Sequence, residues 1–362
     1  MTPLPRGSAI GMLGGGQLGR MMAMAAARLG YRTVVLDPDG HAPAALVSAG
    51  HVCAPFDDFS ALDRLATQCA VVTYEWENVP VETVRHLASR VPVHPPVAAL
   101  EAAQDRVREK TFLNSLGVPT AAFRVVNGDA ELADALAAFS GEGILKTRRG
   151  GYDGKGQRRF RACENPAGAF AAMGGAPLVL EAVVPFEREV SVIAARGQDG
   201  AFAAYEPAEN THENGILRRS TVPASISPQT ASAARDAARH ILDALDYVGV
   251  IGVEFFALPD GGLLANEIAP RVHNSGHWTE AACAVSQFEQ HVRAVCGLAL
   301  GSTRRFADCA MENLLGDEVL SAPELLAEPD AVLHLYGKAE ARPGRKMGHV
   351  TRLLGLGRGA RG

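Results

Sequence analysis

Apolar residues recur along the chain in two alternating periods. Residues 8–14 (SAIGMLG) form a short continuous apolar run, the signature of a buried strand. MMAMAAARLG then keeps helical spacing and stops at Gly30, and YRTVVLDPD is strand-like again, so the chain opens with a βαβ unit. AVVTYE (70–75), the helix VETVRHLASR behind Pro80 and a short strand VPVHP continue the pattern. Near residue 100 the character shifts. ALEAAQDRVREKTFLNSLGVPTAAF contains an amphipathic helix stopped by Gly117 and Pro119, with Arg106 in its first turn, and a domain boundary falls just before it. A helix over 129–139 leads into GILKT, and the strand QRRFRA follows a glycine-rich turn. LVLEAVVPF (178–186) and FEREVSVIAARG, with Glu189 near its start, are further strands. Glu209, Asn210, His212 and Arg218 read as a polar loop, and residues 228–245 as a surface helix. TEAACAVSQFEQHVRAVCGLAL (279–300) predicts one long helix burying Val285, Phe288, Val292 and Val295. Residues 301–362 read as a small third domain whose last residues, GLGRGARG, look disordered.

Composition narrows the function classes. The 362 residues are 47% hydrophobic and 21% charged, an ordinary globular balance. A net charge of −5 leaves no electrostatic footprint for nucleic acid. The six cysteines are scattered with no CxxC pair, which argues against a zinc knuckle or a disulfide scaffold and fits a reducing compartment. The first residues lack the apolar core of a signal peptide, and no apolar run reaches ~18 residues. No membrane span and a cytoplasmic location are expected.

Residues 248–278 concentrate the candidate chemistry. A run from Val248 to Leu258, rich in β-branched and aromatic residues, meets Pro-Asp-Gly-Gly and a second run from Leu263 to Ala269. With 259–262 as a hairpin loop, Leu258 pairs with Leu263 and Glu254 falls opposite Glu267. Like charges facing each other on one sheet face repel, and burying both without a partner costs far more. A cation between them resolves this, and paired carboxylates suit Mg²⁺ when phosphates complete its shell. Two glutamates on a solvated face are the plain alternative; the neighbours Val253, Phe255, Phe256 and Leu264 look buried and argue against it. Arg271, His273, Asn274, Ser275, Gly276, His277 and Trp278 follow, a polar run just after a strand, where α/β proteins place ligands.

Other groups remain ambiguous on the residues alone. Gly14, Gly16 and Gly19 form GxGxxG, with Asp37 at the end of the next strand, the shape of a dinucleotide fingerprint. The physics requires only an anion at a helix N-terminus, so another phosphate or a plain tight turn fits as well. Glu75 closes a strand at its carboxyl end. Lys146 closes another before Gly150, Gly151, Gly154 and Gly156, which enclose Tyr152, Asp153 and Lys155 in a basic loop able to fold over a triphosphate. It is not a Walker A loop, because GxxxxGK[ST] is absent. Arg342, Arg345 and Lys346 cluster with glycines, which suits a phosphate monoester.

Together the motifs GGGQLGR, TYEWENVP, QDRVREK, KTRRGGYDGKGQ, NEIAPRVHNSGHWT and RPGRKMGH resemble the ATP-grasp superfamily. Within it they look like the N5-carboxyaminoimidazole ribonucleotide synthetases of purine biosynthesis. The resemblance implies an α/β (α+β ATP-grasp) fold in three parts: an N-terminal Rossmann-like domain over 1–103, an ATP-grasp domain over 104–300 with a lid over about 120–185, and a C-terminal domain over 301–362. It implies carboxylation of 5-aminoimidazole ribonucleotide by bicarbonate and ATP through carboxyphosphate. Arg106 and Lys146 would contact ATP phosphates, and Gly151, Tyr152, Asp153, Gly154, Lys155, Gly156 and Gln157 would close over them. Glu181, Ala182, Val183 and Val184 would line the adenine, Glu189 would take the ribose hydroxyls, and His212 would approach the phosphates. Glu254 and Glu267 would hold Mg²⁺, or Mn²⁺ in its place, with Asn266 nearby; in a regular strand Asn266 would face away, so a local twist is needed. Asp153 would meet the substrate amine, with Arg271, His273 and Asn274 around bicarbonate. Gly16, Gln17, Leu18, Glu75, Tyr152, Lys155, Lys338, Arg345 and Lys346 would line the ribotide, the last two at its 5′-phosphate. The resemblance further implies a homodimer, a product passed to a mutase, and no NAD, flavin or biotin. The family usually continues past GHV with a helical segment that this sequence shortens, a departure that bears on stability or the subunit interface while activity is still expected.

Overall fold

A computed structural model describes residues 2–151 and 154–355 of the protein; Tyr152, Asp153 and the end of the glycine-rich tail lie outside the described residues. The chain builds three sheets. The first is parallel, from β1 (Ala9–Leu13), β2 (Arg32–Leu36), β3 (Gly50–Val52) and β4 (Val71–Tyr74) in the order β3-β2-β1-β4. Strands β1 and β4 are wholly buried, because helices cover both faces, and the edge strand β3 is half-buried. VPVHP contributes only an isolated bridge from Val93 to Val72, since prolines flank it.

The second sheet is antiparallel: β5 (Phe123–Val126), β6 (Gly143–Thr147), β7 (Gln157–Phe160) and β8 (Leu178–Glu181) in the order β5-β8-β6-β7. The helix Asp129–Ala138 covers one face through Leu132, Ala135 and Leu136.

The third sheet is the frame. It comprises β9 (Arg188–Arg196), β10 (Phe202–Ala204), β11 (Ala208–Glu213), β12 (Ile216–Val222), β13 (Gly249–Ala257), β14 (Leu263–Ala269), β15 (Asp308–Leu315), β16 (Ala331–Leu335) and β17 (Lys346–Leu354). They run β14-β13-β9-β11-β12-β15-β17-β16, with β10 on β9. The helix Pro228–Ala244 packs Ala234, Ala238 and Ile241 on Val192, Ile251 and Val253. Among the described residues no helix is long and apolar enough to cross a membrane.

Two expectations change. The polar segment 208–222 is a hairpin, not a loop: Ala208 and Leu217 are buried, and Asn210 receives Ser220 Oγ at 2.8 Å inside the sheet. Its polar side chains look loop-like in sequence because this sheet face lines a cleft. The long helix over 279–300 is two helices, Thr279–Ala282 and Gln287–Val295. Tyr205 donates to the Val285 carbonyl at 2.8 Å and Ser286 caps the second helix, so the chain bends between them. The small third part stands, and its strands join the central sheet, because β15 pairs with β12.

Candidate active site

The glutamate pair forms by a route that alternation alone misses. Ala257, not Leu258, faces Leu263, because Leu258 N–H turns to the Gly262 carbonyl at 2.9 Å and lengthens the loop by one residue. The register slips back between Phe255 and Glu254, leaving Asn266 as the extra residue of a β-bulge, and Glu254 meets Glu267.

Around the pair the charges are uneven. Arg106 Nη1 reaches Glu267 Oε2 at 3.5 Å, and His273 Nε2 lies 3.8 Å from Glu254 Oε1. His212 pairs with Glu189 one strand away. Burial, then the Glu267 charge, pushes Glu254 up to about 7, and burial with the same neighbour lifts Glu109 to about 8. Burial lowers His212, but the Glu189 hydrogen bond and the Glu254 charge outweigh it and raise the imidazole above its usual value. A cation beside Glu254 and Glu267 would favour their ionised forms. Among the described residues no three His, Cys, Asp or Glu side chains converge on one metal position. Two carboxylates form half a shell, which fits Mg²⁺ taking its other ligands from phosphate and water.

One side of the site is built by the helix Arg106–Ser115 and the second sheet. Asp105 caps this helix, accepting from Val107 and Arg108 N–H at 3.0 and 3.2 Å, and binds Arg148. Arg106 therefore stands in the first turn, with Nη2 3.3 Å from the Gly151 carbonyl. Lys146 Nζ donates to Glu181 Oε2 at 2.8 Å, and Lys110 lies 3.4 Å from the other oxygen. Burial opposes the charge on both partners: it lowers Lys146 despite Glu181, whereas Lys146 and Lys110 overcome it and hold Glu181 below the usual carboxyl range. Ala182, Val183 and Val184 are half-buried, and beyond them Phe186 stacks on Phe256 with centroids 4.7 Å apart. Gly154 packs against the Asn214 carbonyl at the β11–β12 turn, while Lys155, Gly156 and Gln157 are exposed.

The opposite side closes with the loop after β14. Arg271 pairs with Glu77; burial pushes Glu77 up, but the guanidinium more than offsets it. His273 lies far below its usual value, first through burial, then through Arg271, Lys346 and His212. Its Nδ1 accepts from Ser275 N–H at 3.4 Å, so Nε2 carries the proton toward Glu254. Gln287 grips the His273 backbone at both ends, accepting at 2.9 Å and donating at 2.7 Å. Asn274 spends its amide on a reciprocal pair with Asn313 at 2.7 and 3.0 Å. Lys338 donates to the Lys346 carbonyl at 2.7 Å, and the Lys346 charge acts on Glu77, Glu254 and His273. Arg345 turns to the Glu340 carbonyl at 2.9 Å.

GGGQLG does not fit a dinucleotide. Gly15 N–H donates to Asp37 at 2.7 Å, and Gly16 and Gly19 N–H donate to Glu75 at 2.9 and 3.1 Å. The chain's own carboxylates fill the place a pyrophosphate would need. Leu18 packs its side chain with Met21 and Met22 in the core, so only its backbone is available to a ligand; Gln17 is half-buried beside it.

Sequence reasoning missed Glu77, Glu109, Lys110 and Asn313. Glu77 stood inside TYEWENVP, and Glu109 and Lys110 inside QDRVREK at helical spacing from Arg106, which was a usable signal. Nothing local marked Asn313.

The ATP-grasp domain profile matches residues 111–288, flanked by the ribonucleotide synthetase preATP-grasp domain over 8–104 and the phosphoribosylaminoimidazole carboxylase C-terminal domain over 309–355. The N5-carboxyaminoimidazole ribonucleotide synthase of Brucella melitensis is 60% identical over 354 residues, 97% of this chain and 98% of the relative. That of Pseudomonas aeruginosa is 47% identical, covering 94% of this chain and 93% of the relative. The ADP complex of an N5-carboxyaminoimidazole ribonucleotide synthetase matches with a TM-score of 0.94 at 42% identity, over 98% of this chain and 94% of the other. The Aspergillus clavatus enzyme in complex with ADP and 5-aminoimidazole ribonucleotide matches at 0.90 and 35%, over 96% and 94%. With near-full-length identity at this level, and a cleft that sets paired carboxylates against a basic wall, the chain belongs to the N5-carboxyaminoimidazole ribonucleotide synthase family of ATP-grasp enzymes.

Proposed function

We propose that the protein carboxylates 5-aminoimidazole ribonucleotide at its exocyclic amine, using bicarbonate and ATP and forming ADP and phosphate. The observation that carries this reading is the Glu254–Glu267 pair on one sheet face, flanked by Arg106 on one side and His273 on the other. The pair would hold Mg²⁺, which neutralises phosphate charge and steers the γ-phosphoryl group. Arg106 and Lys146 lie where phosphate oxygens can compete with Glu267 and Glu181 for them. Ala182 to Val184 would offer backbone to the adenine, and Glu189 would take the ribose, with His212 turned toward the phosphates.

A bicarbonate oxygen attacks the γ-phosphorus, the bond to ADP breaks, and carboxyphosphate forms. Its phosphate then leaves, and the carboxylate carbon bonds to the amine nitrogen, which loses a proton. Arg271 supplies fixed positive charge for the bicarbonate. His273, neutral and with its proton on Nε2, donates a hydrogen bond without competing for a proton. Asn274, tied to Asn313, fixes the loop that carries them. Asp153, by its motif position, would take the amine proton. Lys338, Lys346 and Arg345 would face the ribotide. Carboxyphosphate is short-lived, so a closed, water-poor cleft is part of the chemistry.

The test is ADP release with MgATP, adding bicarbonate and the ribotide separately and together. Release that requires the ribotide is expected. Equal release without it contradicts the acceptor.

A further inference from the structure

β14 is the edge strand of the sheet, so one side of its backbone must find partners outside the ladder. Beside the bulge these groups are the Asn266 carbonyl and the Ile268 N–H, on either side of Glu267. The first turns of the helix Arg106–Ser115 face them. Glu109 Oε1 accepts from Ile268 N–H at 2.7 Å, and Lys110 Nζ donates to the Asn266 carbonyl at 3.4 Å. Arg106, three residues before Glu109 on the same helix face, reaches the Glu267 carboxylate itself. Glu109 is 2% exposed and Lys110 1%, so both stand behind the strand, out of reach of any substrate.

The consequence follows from strand geometry. A one-residue slip turns every side chain of a strand to the opposite face. If the bulge relaxed, Asn266 would take the place opposite Glu254 and Glu267 would turn away. Glu109 and Lys110 hold the backbone on both sides of Glu267, next to the extra residue Asn266.

We propose that Glu109 and Lys110 are positioning residues for the divalent-cation site, clamping the bulge at Asn266–Ile268 so that Glu267 stays opposite Glu254. This rests on the MgATP reading above. Lys110 also touches Glu181, so the clamp joins the cation side of the cleft to the adenine side.

The test is Mn²⁺ binding to the full chain with ADP, followed by the paramagnetic signal of free Mn²⁺, alongside ADP binding without metal. Two variants separate reach from the carboxyl group itself. Glu109→Asp keeps the carboxyl but falls one methylene short of Ile268 N–H. Glu109→Gln replaces the carboxyl but keeps an acceptor at the right distance. Glu109→Asp is expected to weaken Mn²⁺ about tenfold, the usual cost of losing an outer-shell partner, while metal-free ADP affinity holds. Glu109→Gln should stay within about threefold of the parent, because the acceptor remains. A Glu109→Asp protein that unfolds cooperatively and binds Mn²⁺ like the parent overturns the clamp, and so does a Glu109→Gln that is the weaker of the two. A parent protein that binds ADP but no Mn²⁺ overturns the cation reading itself, and the clamp with it.

Discussion

Two glycine-rich turns look alike in the sequence and differ in what they face. In GGGQLG the N–H groups of Gly15, Gly16 and Gly19 are taken by Asp37 and Glu75, so the turn is sealed by carboxylates of its own chain. In the turn after β6, Gly151 lies against Arg106 and the Lys155 carbonyl, and Gly156 against Thr147. A negative partner closes the first, whereas the second stands beside an arginine that also reaches Glu267. Glycine marks where backbone comes close to something; the charge of that something decides whether the turn is architecture or binding surface.

The sharpest way to test the division is at the second turn's far partner. Glu267→Gln should lower kcat by about 10²–10³-fold if the carboxylate pair holds the cation that places the phosphates, as proposed. Steady-state ADP release checks it, with thermal unfolding as the control for folding. Next comes Gly156→Ala, where φ is +71° and a Cβ would lie 2.6 Å from Thr147 Oγ1. Displacing the turn should reduce kcat/KM for ATP by about 10²-fold, with little change in Tm because the turn is exposed. Gly16→Ala puts a Cβ 2.9 Å from Glu75 Oε1 in the sealed turn. There the expected effect is about 1–3 kcal/mol of stability, read as a lower Tm, with MgADP affinity kept. If Gly16→Ala weakened MgADP instead, the two turns would not divide the work as described.

The smallest effect is a pH dependence. Glu254 and Glu109 titrate near 7 and 8 in the folded chain, above the ordinary carboxyl value. Both bind protons more tightly folded than unfolded, so stability present below about pH 4.5 is lost as pH rises through 7 and 8. A divalent cation held by Glu254 and Glu267 would remove the Glu254 share of that loss. The Tm gain from MgADP should therefore grow by a few degrees between about pH 5 and 8. Scanning calorimetry with and without MgADP checks it; a gain that shrinks with pH contradicts it.

Much of this was legible because local chemistry and long-range pattern agreed. The turn Pro-Asp-Gly-Gly between two β-branched runs announced the hairpin, and like-charge repulsion announced a partner for its glutamates. The bulge was not legible: a loop longer by one residue and an extra residue in β14 cancel, so the right pairing emerged from the wrong register. The hairpin over 208–222 was misread because strand residues lining a polar cleft lose the alternation that a half-buried strand shows. GxGxxG allowed several anions because its answer, Glu75, lies 59 residues from Gly16. Asn313 was invisible for the same reason, since its partner Asn274 is 39 residues away.

The most direct test of the account follows oxygen. With bicarbonate labelled in ¹⁸O, MgATP and 5-aminoimidazole ribonucleotide, attack on the γ-phosphorus leaves one labelled oxygen in each phosphate released. One ¹⁸O per phosphate, together with bicarbonate carbon in an acid-labile ribotide product, is the expected result. Phosphate released without label, at the same rate whether or not the ribotide is present, would contradict it.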